Sequence, residues 1–299
     1  MILVFGITTW LCLLYHKFSL IRKEKNQDHA SMGFFYLGGD IILSLLANLG
    51  ILSSAYSKNL NVWELISLVL VTLGIYLLDR SYDSFKETTS TQTKRGLFYR
   101  TKIKIIIPVG LIFLIFSLTI AIWQFSLSFL LGGFWIGLGI LIYFCFYYFL
   151  KPKLFPKEIF IAVFYCLGVA YPIYYNSFPS KLIELFPYIL FFLSILAEVM
   201  ALSLNDFEWD AKLQFHSLSQ SLGKKKTKII FLTLTFIGLG ISIFLSIQYL
   251  TTIKLVAMGY IFYFIFLFLI EEEKIHFRFI EKKILLELSY CPFFLYYLL

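Results

Sequence analysis

Charge is scarce in this chain of 299 residues. Only 15% of positions are Asp, Glu, Lys or Arg, against about a quarter in an ordinary soluble domain. Hydrophobic residues reach 60% and the mean hydropathy is +0.82, which excludes the soluble globular class and points to a bilayer. Histidine and cysteine are sparse too, at four each. His16, His29, His216 and His276 are scattered among linkers and helix ends, so a zinc site is excluded. Cys12, Cys145, Cys166 and Cys291 stand singly in apolar runs and read as buried thiols, not as a disulfide framework or metal ligands. The apolar runs lack the strict alternation of barrel strands, so the spanning elements are helices. Domain linkers, low-complexity tracts and heptad arrays are all missing. Gly223-Lys224 does not belong to a phosphate-binding P-loop, because Leu218 stands where the leading Gly would be and Lys225 where Ser or Thr is needed.

What the chain does have is a series of apolar runs. Nine of them, at about 33 to 54, 62 to 78, 105 to 122, 128 to 150, 158 to 176, 185 to 204, 229 to 248, 255 to 270 and 284 to 299, predict an all-α polytopic bundle of nine core transmembrane helices. A further run over 1 to 16 is short against the roughly 20 residues a span needs and lacks the leading charge and cleavage site of a signal peptide. It is expected as an accessory N-terminal helix. Residues 1 to 32 thus form an extra apolar segment and basic linker ahead of a membrane domain over 33 to 299.

The net charge of +8 is distributed unevenly. If the linkers alternate sides, one set holds 23 of the 26 Lys and Arg, leaving Lys58, Lys181 and Lys254 on the other. So lopsided a pattern places the first set in the cytoplasm. It also accounts for the basic balance without nucleic acid as a partner. An integral protein of a bacterial inner membrane, with its functional face toward the cytoplasm, is the expectation.

Two polar islands interrupt the grease on that cytoplasmic side. Residues 205 to 223 read NDFEWDAKLQFHSLSQSLG, with Asp206 and Asp210 four apart. Asp79 and Asp83 repeat that spacing at the end of the second run. On a continuous helix each pair shares one face, with about 5–6 Å between Cβ atoms. Like charges held so close call for a cation, and carboxylate oxygens suit magnesium or calcium better than zinc. Each pair alone also suits a plain salt-bridged interfacial turn, but two identical pairs on one side of a membrane suggest a shared site. Four carboxylates among several cations fit a diphosphate, bridged to Asp by magnesium and neutralised by Lys and Arg. A greasy tail on that headgroup would lie among the helices.

The second island resembles the second aspartate motif of the UbiA superfamily of intramembrane prenyltransferases. Asp206, Glu208, Asp210, Lys212, Ser217, Leu218, Leu222 and Gly223 occupy its positions without a gap; Gln214 replaces the usual Gly and Ser217 the usual Thr. Asp79 and Asp83 match the acidic positions of the family's first motif, with Ile75 where an Asn is usual. Tyr147 and Lys151, ahead of Pro156-Lys157-Glu158, are similar to the family's Tyr and Lys after its fourth helix. The likeness runs from about residue 33 to the end.

The resemblance implies a magnesium-dependent prenyltransferase. Asp79, Asp83, Asp206 and Asp210 would be its catalytic metal ligands, and Arg80, Lys151 and Lys212 would hold the diphosphate of a polyprenyl diphosphate. Departure of that diphosphate leaves an allylic cation, which aromatic faces stabilise by roughly 0.5–2 kcal/mol each and a closed chamber protects from water. The prenyl group passes to a lipophilic acceptor: an aromatic quinone precursor, a tetrapyrrole or a glycerol phosphate. The alternative is a non-catalytic isoprenoid- or lipid-binding or transport protein on the same scaffold. Glu198 and Asp40, lone acids within apolar runs, are expected either to hydrogen-bond inside the bundle or to serve a ligand. Lys224, Lys225, Lys226 and Lys228 read as topology determinants or contacts to anionic membrane lipid. Glu271, Glu272 and Glu273 with Lys274, Arg278, Lys282 and Lys283 read as a solvated loop.

Overall fold

In the computed structural model the described residues are 33–58, 60–87, 93–145, 157–175, 182–213, 217–249, 252–274 and 282–290. Among them there is helix and no strand. The principal helices are α1 (Gly39–Ala55), α2 (Val62–Lys86), α3 (Lys94–Gln124), α4 (Leu127–Cys145), α5 (Lys157–Tyr174) and α6 (Phe186–Asn205). Two short pieces follow, α7 (Phe207–Leu213) and α8 (Leu218–Leu222). The chain continues through α9 (Lys224–Gln248), α10 (Thr252–Glu271) and α11 (Lys282–Glu287). α2, α3, α6, α9 and α10 are long and apolar enough to cross a membrane, and α1, α4 and α5 are shorter apolar helices. Eight of the nine expected runs are therefore helical. The ninth contributes only the six-residue α11 and a turn over 288–290, and residues 291–299, like residues 1 to 16, lie outside the described residues.

Helix boundaries follow local chemistry more than hydropathy. α3 starts well before its apolar run because Thr93 caps it, accepting from the Gly96 amide at 2.8 Å, so a turn rich in Lys and Arg joins the helix. α2 opens on a capping box in which Asn61 and Glu64 satisfy each other's backbone amides. Pro108 and Pro172 lie within α3 and α5. Lys58 donates to the carbonyls of Pro172 and Ile173 at the end of α5, where a cation meets the negative end of the helix.

Interhelical packing relies on small residues. Gly74 of α2 faces Gly110 of α3, so closely that a Cβ on Gly74 would stand 2.9 Å from the Gly110 carbonyl oxygen and 2.7 Å from the Leu114 side chain. Further along the same pair, the Ser67 and Ser117 hydroxyls meet at 2.9 Å and the Ser117 hydroxyl donates to the Ser67 carbonyl, also at 2.9 Å. Gly238 of α9 likewise receives the Phe264 ring of α10. α6 is the central element, packed by α5, α9, α10 and α11. Its Phe191, Ala197 and Ala201 are fully buried. α6 also carries Glu198 and, at its end, Asp206, so the core itself positions the second acidic island.

Candidate functional site

α6 stops at Asp206, yet the helical path is nearly kept: the Asp206 amide donates to the Leu202 carbonyl at 2.9 Å and the Asp210 amide to the Asp206 carbonyl at 2.8 Å. This is the i to i+4 connection that the spacing anticipates, carried across a one-residue break into α7. Asp210 is buried and Asp206 partly exposed. Behind them the end of the motif is anchored. Buried Glu158 of α5 accepts from the Ser203 hydroxyl at 2.8 Å and from the Leu218 amide at 2.9 Å. Ser219 donates to the Ser203 carbonyl at 2.9 Å, and Gln220 to the Phe207 carbonyl. Ser217 caps α8, which gives its retained hydroxyl a structural task.

Asp79 and Asp83 lie in the last two turns of α2 with Arg80 between them. Arg80 reaches Asp83 at 3.6 Å and stacks over the Tyr76 ring, its guanidinium carbon 5.5 Å from the centroid. Arg80 is also within electrostatic reach of Asp79, Asp206 and Glu287. This one guanidinium is thus within electrostatic reach of acids from both islands.

Lys283 of α11 pairs with Asp206, whose other oxygen accepts from Asn205 at 3.1 Å. Burial works against ionising Asp206, but Lys283, then Arg80 and Asn205, outweigh it and hold the carboxyl below the ordinary carboxylate range. One turn further along α11, Glu287 is buried against Asp40 of α1. One Arg95 nitrogen bridges the two carboxyls, 3.0 Å from Asp40 and 3.4 Å from Glu287. Glu198 is buried in the bundle, and the Tyr290 hydroxyl donates to Ser194 on the same helix. Asp40, which accepts from the Ile41 amide and from Arg95, follows the hydrogen-bonded alternative.

The other expected residues are placed as follows. Lys212 is exposed on α7. Lys151, Tyr147 and Gln214 lie outside the described residues, and Ile75 sits on α2 one turn before Asp79. The loop read as merely solvated is more structured than that: Lys283 reaches the aspartate site, Lys282 pairs with Glu271 at 3.1 Å, and Lys228 pairs with Glu272 at 2.7 Å. Tyr76, Arg95 and Glu287 are not among the residues that the sequence points to for the site. Glu287 carried the same signal as Asp40 and Glu198, a lone acid in an apolar run.

The aspartate oxygens are hard donors of the type magnesium prefers. As arranged, however, Arg80 and Lys283 take up Asp83 and Asp206. Among the described residues no three carboxylate, imidazole or thiol groups stand together as a cation site. No protein-family model, curated protein or solved structure matches this chain.

Proposed function

We propose that this chain is an integral-membrane prenyltransferase of a bacterial inner membrane, its site facing the cytoplasm. It moves an isoprenyl group from a polyprenyl diphosphate to a lipophilic, aromatic acceptor. The donor's carbon–oxygen bond breaks with its electron pair on the diphosphate, a bond forms to the acceptor carbon, and that carbon gives up its proton. The observation that carries the reading is that Arg80 of α2, paired with Asp83, is within electrostatic reach of Asp79 and of Asp206 at the α6–α7 junction, beside a set of apolar helices. The gapless second motif supports the same reading. Magnesium is the expected cofactor. Asp79, Asp83, Asp206 and Asp210 would hold it, and it would neutralise and orient the departing diphosphate.

The test is prenyl transfer by purified protein in detergent, with labelled geranyl or farnesyl diphosphate, magnesium and a panel of acceptors. The expected result is transfer that requires magnesium and is lost in Asp206→Asn and Asp210→Asn. A second reading, a non-catalytic isoprenoid carrier, is favoured by Ile75 in place of Asn and by the internal pairing of Asp83 and Asp206. Diphosphate binding without turnover across the panel would establish it instead.

A further inference from the structure

α3 is longer than a bilayer needs. Its 31 residues extend about 46 Å at a rise of about 1.5 Å each, whereas the hydrocarbon core is about 30 Å thick and takes about 20 residues. Trp123, 80% exposed near the end of the helix, is the kind of side chain that marks one membrane interface. About 20 residues back from it stands Lys104, so Arg100, Lys102 and Lys104 occupy the opposite headgroup layer. All three are exposed.

Nothing of opposite charge meets them. Among the described residues none of the three is in an ion pair. The chain carries no acidic residue between Glu87 and Glu158, and the Glu87 carboxylate is engaged by the Thr93 amide and hydroxyl at 3.1 and 3.0 Å. Arg100 donates to the Glu87 carbonyl at 3.4 Å, a single contact for a group with several donors. Lys102 lies against its own helix, its ammonium 4.9 Å from the Phe98 ring centroid. Arg100 and Lys104 stand one turn apart on one face, where like charges repel unless they share an anion.

The same face continues into the bilayer as an apolar stripe. At about 100° per residue, Leu111, Ile115, Leu118 and Ile122 fall within an arc of about 60° that also holds Arg100 and Lys104, and the four are 47% to 64% exposed. A cationic pair at headgroup depth, in line with exposed aliphatic side chains at acyl-chain depth, fits a ligand of two parts: an anionic phosphate joined to hydrocarbon chains. α9 shows the contrast. Lys224 and Lys228 have the same spacing, but Lys228 is paired with Glu272 at 2.7 Å, and the consecutive Lys224, Lys225 and Lys226 splay about 100° apart. We infer that Arg100 and Lys104 bind the phosphate of an anionic phospholipid such as phosphatidylglycerol, whose acyl chains lie along the α3 stripe. The site is separate from the aspartate site and does not depend on the prenyl-transfer reading.

The test is native mass spectrometry of the full chain in detergent micelles, titrated with phosphatidylglycerol and, separately, with phosphatidylcholine. The wild type is expected to hold one phosphatidylglycerol more tightly than it holds phosphatidylcholine. Arg100→Gln/Lys104→Gln, at two exposed positions, is expected to weaken that step by about 10- to 30-fold, the scale for two interfacial basic residues. Lys225→Gln/Lys226→Gln removes the same charge from α9 and is expected to leave the step near wild type. Free glycerol phosphate, an anion without chains, is expected not to displace the lipid at equal concentration. The inference is overturned if the two double variants weaken binding equally, since diffuse charge then suffices, or if phosphatidylcholine binds as tightly. It is overturned as well if glycerol phosphate displaces the lipid, which makes the pair a soluble-phosphate site, or if Arg100→Gln/Lys104→Gln changes the oligomeric state and not the lipid count, which gives the face to a second copy. Should the double variant lower the thermal midpoint in phosphatidylcholine micelles, Lys104→Gln alone carries the test, with an expected weakening of about 3- to 5-fold; no weakening there overturns the inference.

Discussion

Arg95 sits between two acids that no other described cation touches directly, and its worth lies mainly in what its loss would strand. Asp40 is fully buried and Glu287 nearly so. Removing one partner of a buried ionic group typically costs about 3–5 kcal/mol, because the remaining charge is left unpaired. Arg95→Met should therefore lower the unfolding free energy in detergent by about that amount, and adding Asp40→Asn and Glu287→Gln should restore part of it. A variant as stable as the wild type would show the triad to be energetically idle. Asp206 adds a pH dependence of known sign. Its carboxyl is depressed in the fold, so the pair with Lys283 stabilises above the unfolded carboxyl's pKa and fades as pH falls through the folded one. Stability followed from neutral to acid pH should accordingly fall less in Lys283→Gln than in the wild type.

At the scale of helices, the α2–α3 pair holds the first acidic island in place, and its closeness depends on Gly74. A side chain there meets the backbone of Gly110 as well as Leu114, so Gly74→Val should destabilise by about 1–3 kcal/mol as an overpacking change. Gly137 of α4 has nothing within 4 Å of where its Cβ would be, and Gly137→Ala should leave the thermal midpoint unchanged or raise it slightly. Equal effects from the two substitutions would mean that the glycine contact does not set the packing. The elements themselves were largely legible, because a membrane helix announces itself by a long apolar run. Their ends were less so: α3 gained a basic first turn through the Thr93 cap, and α6 broke at Asp206, features that hydropathy does not register. The solvated-loop reading of Lys282 and Lys283 failed for a related reason. A charge next to an apolar stretch looks the same in sequence whether it faces water or an acid on another helix.

For the molecule as a whole, the two ends differ in chemistry. Lys58 meets the end of α5 at one, and the acidic islands gather at the other. If the basic linkers face the cytoplasm, a cysteine at Lys225 in intact cells is labelled by an impermeant thiol reagent only after permeabilisation, and one at Val62 is labelled without it. The reverse pattern would invert the orientation. Composition and run length were enough to determine an all-helical protein with membrane-spanning helices, because lipid exposure acts on each segment by itself and needs no knowledge of its neighbours. The four-residue spacing of the aspartates was equally local. What only the tertiary structure decided is which distant charges meet: Arg95 with Asp40 and Glu287, and Lys283 with Asp206. Those partners lie up to 192 positions apart in the chain, and pairing across such distances depends on how the helices pack against α6, which no single segment encodes.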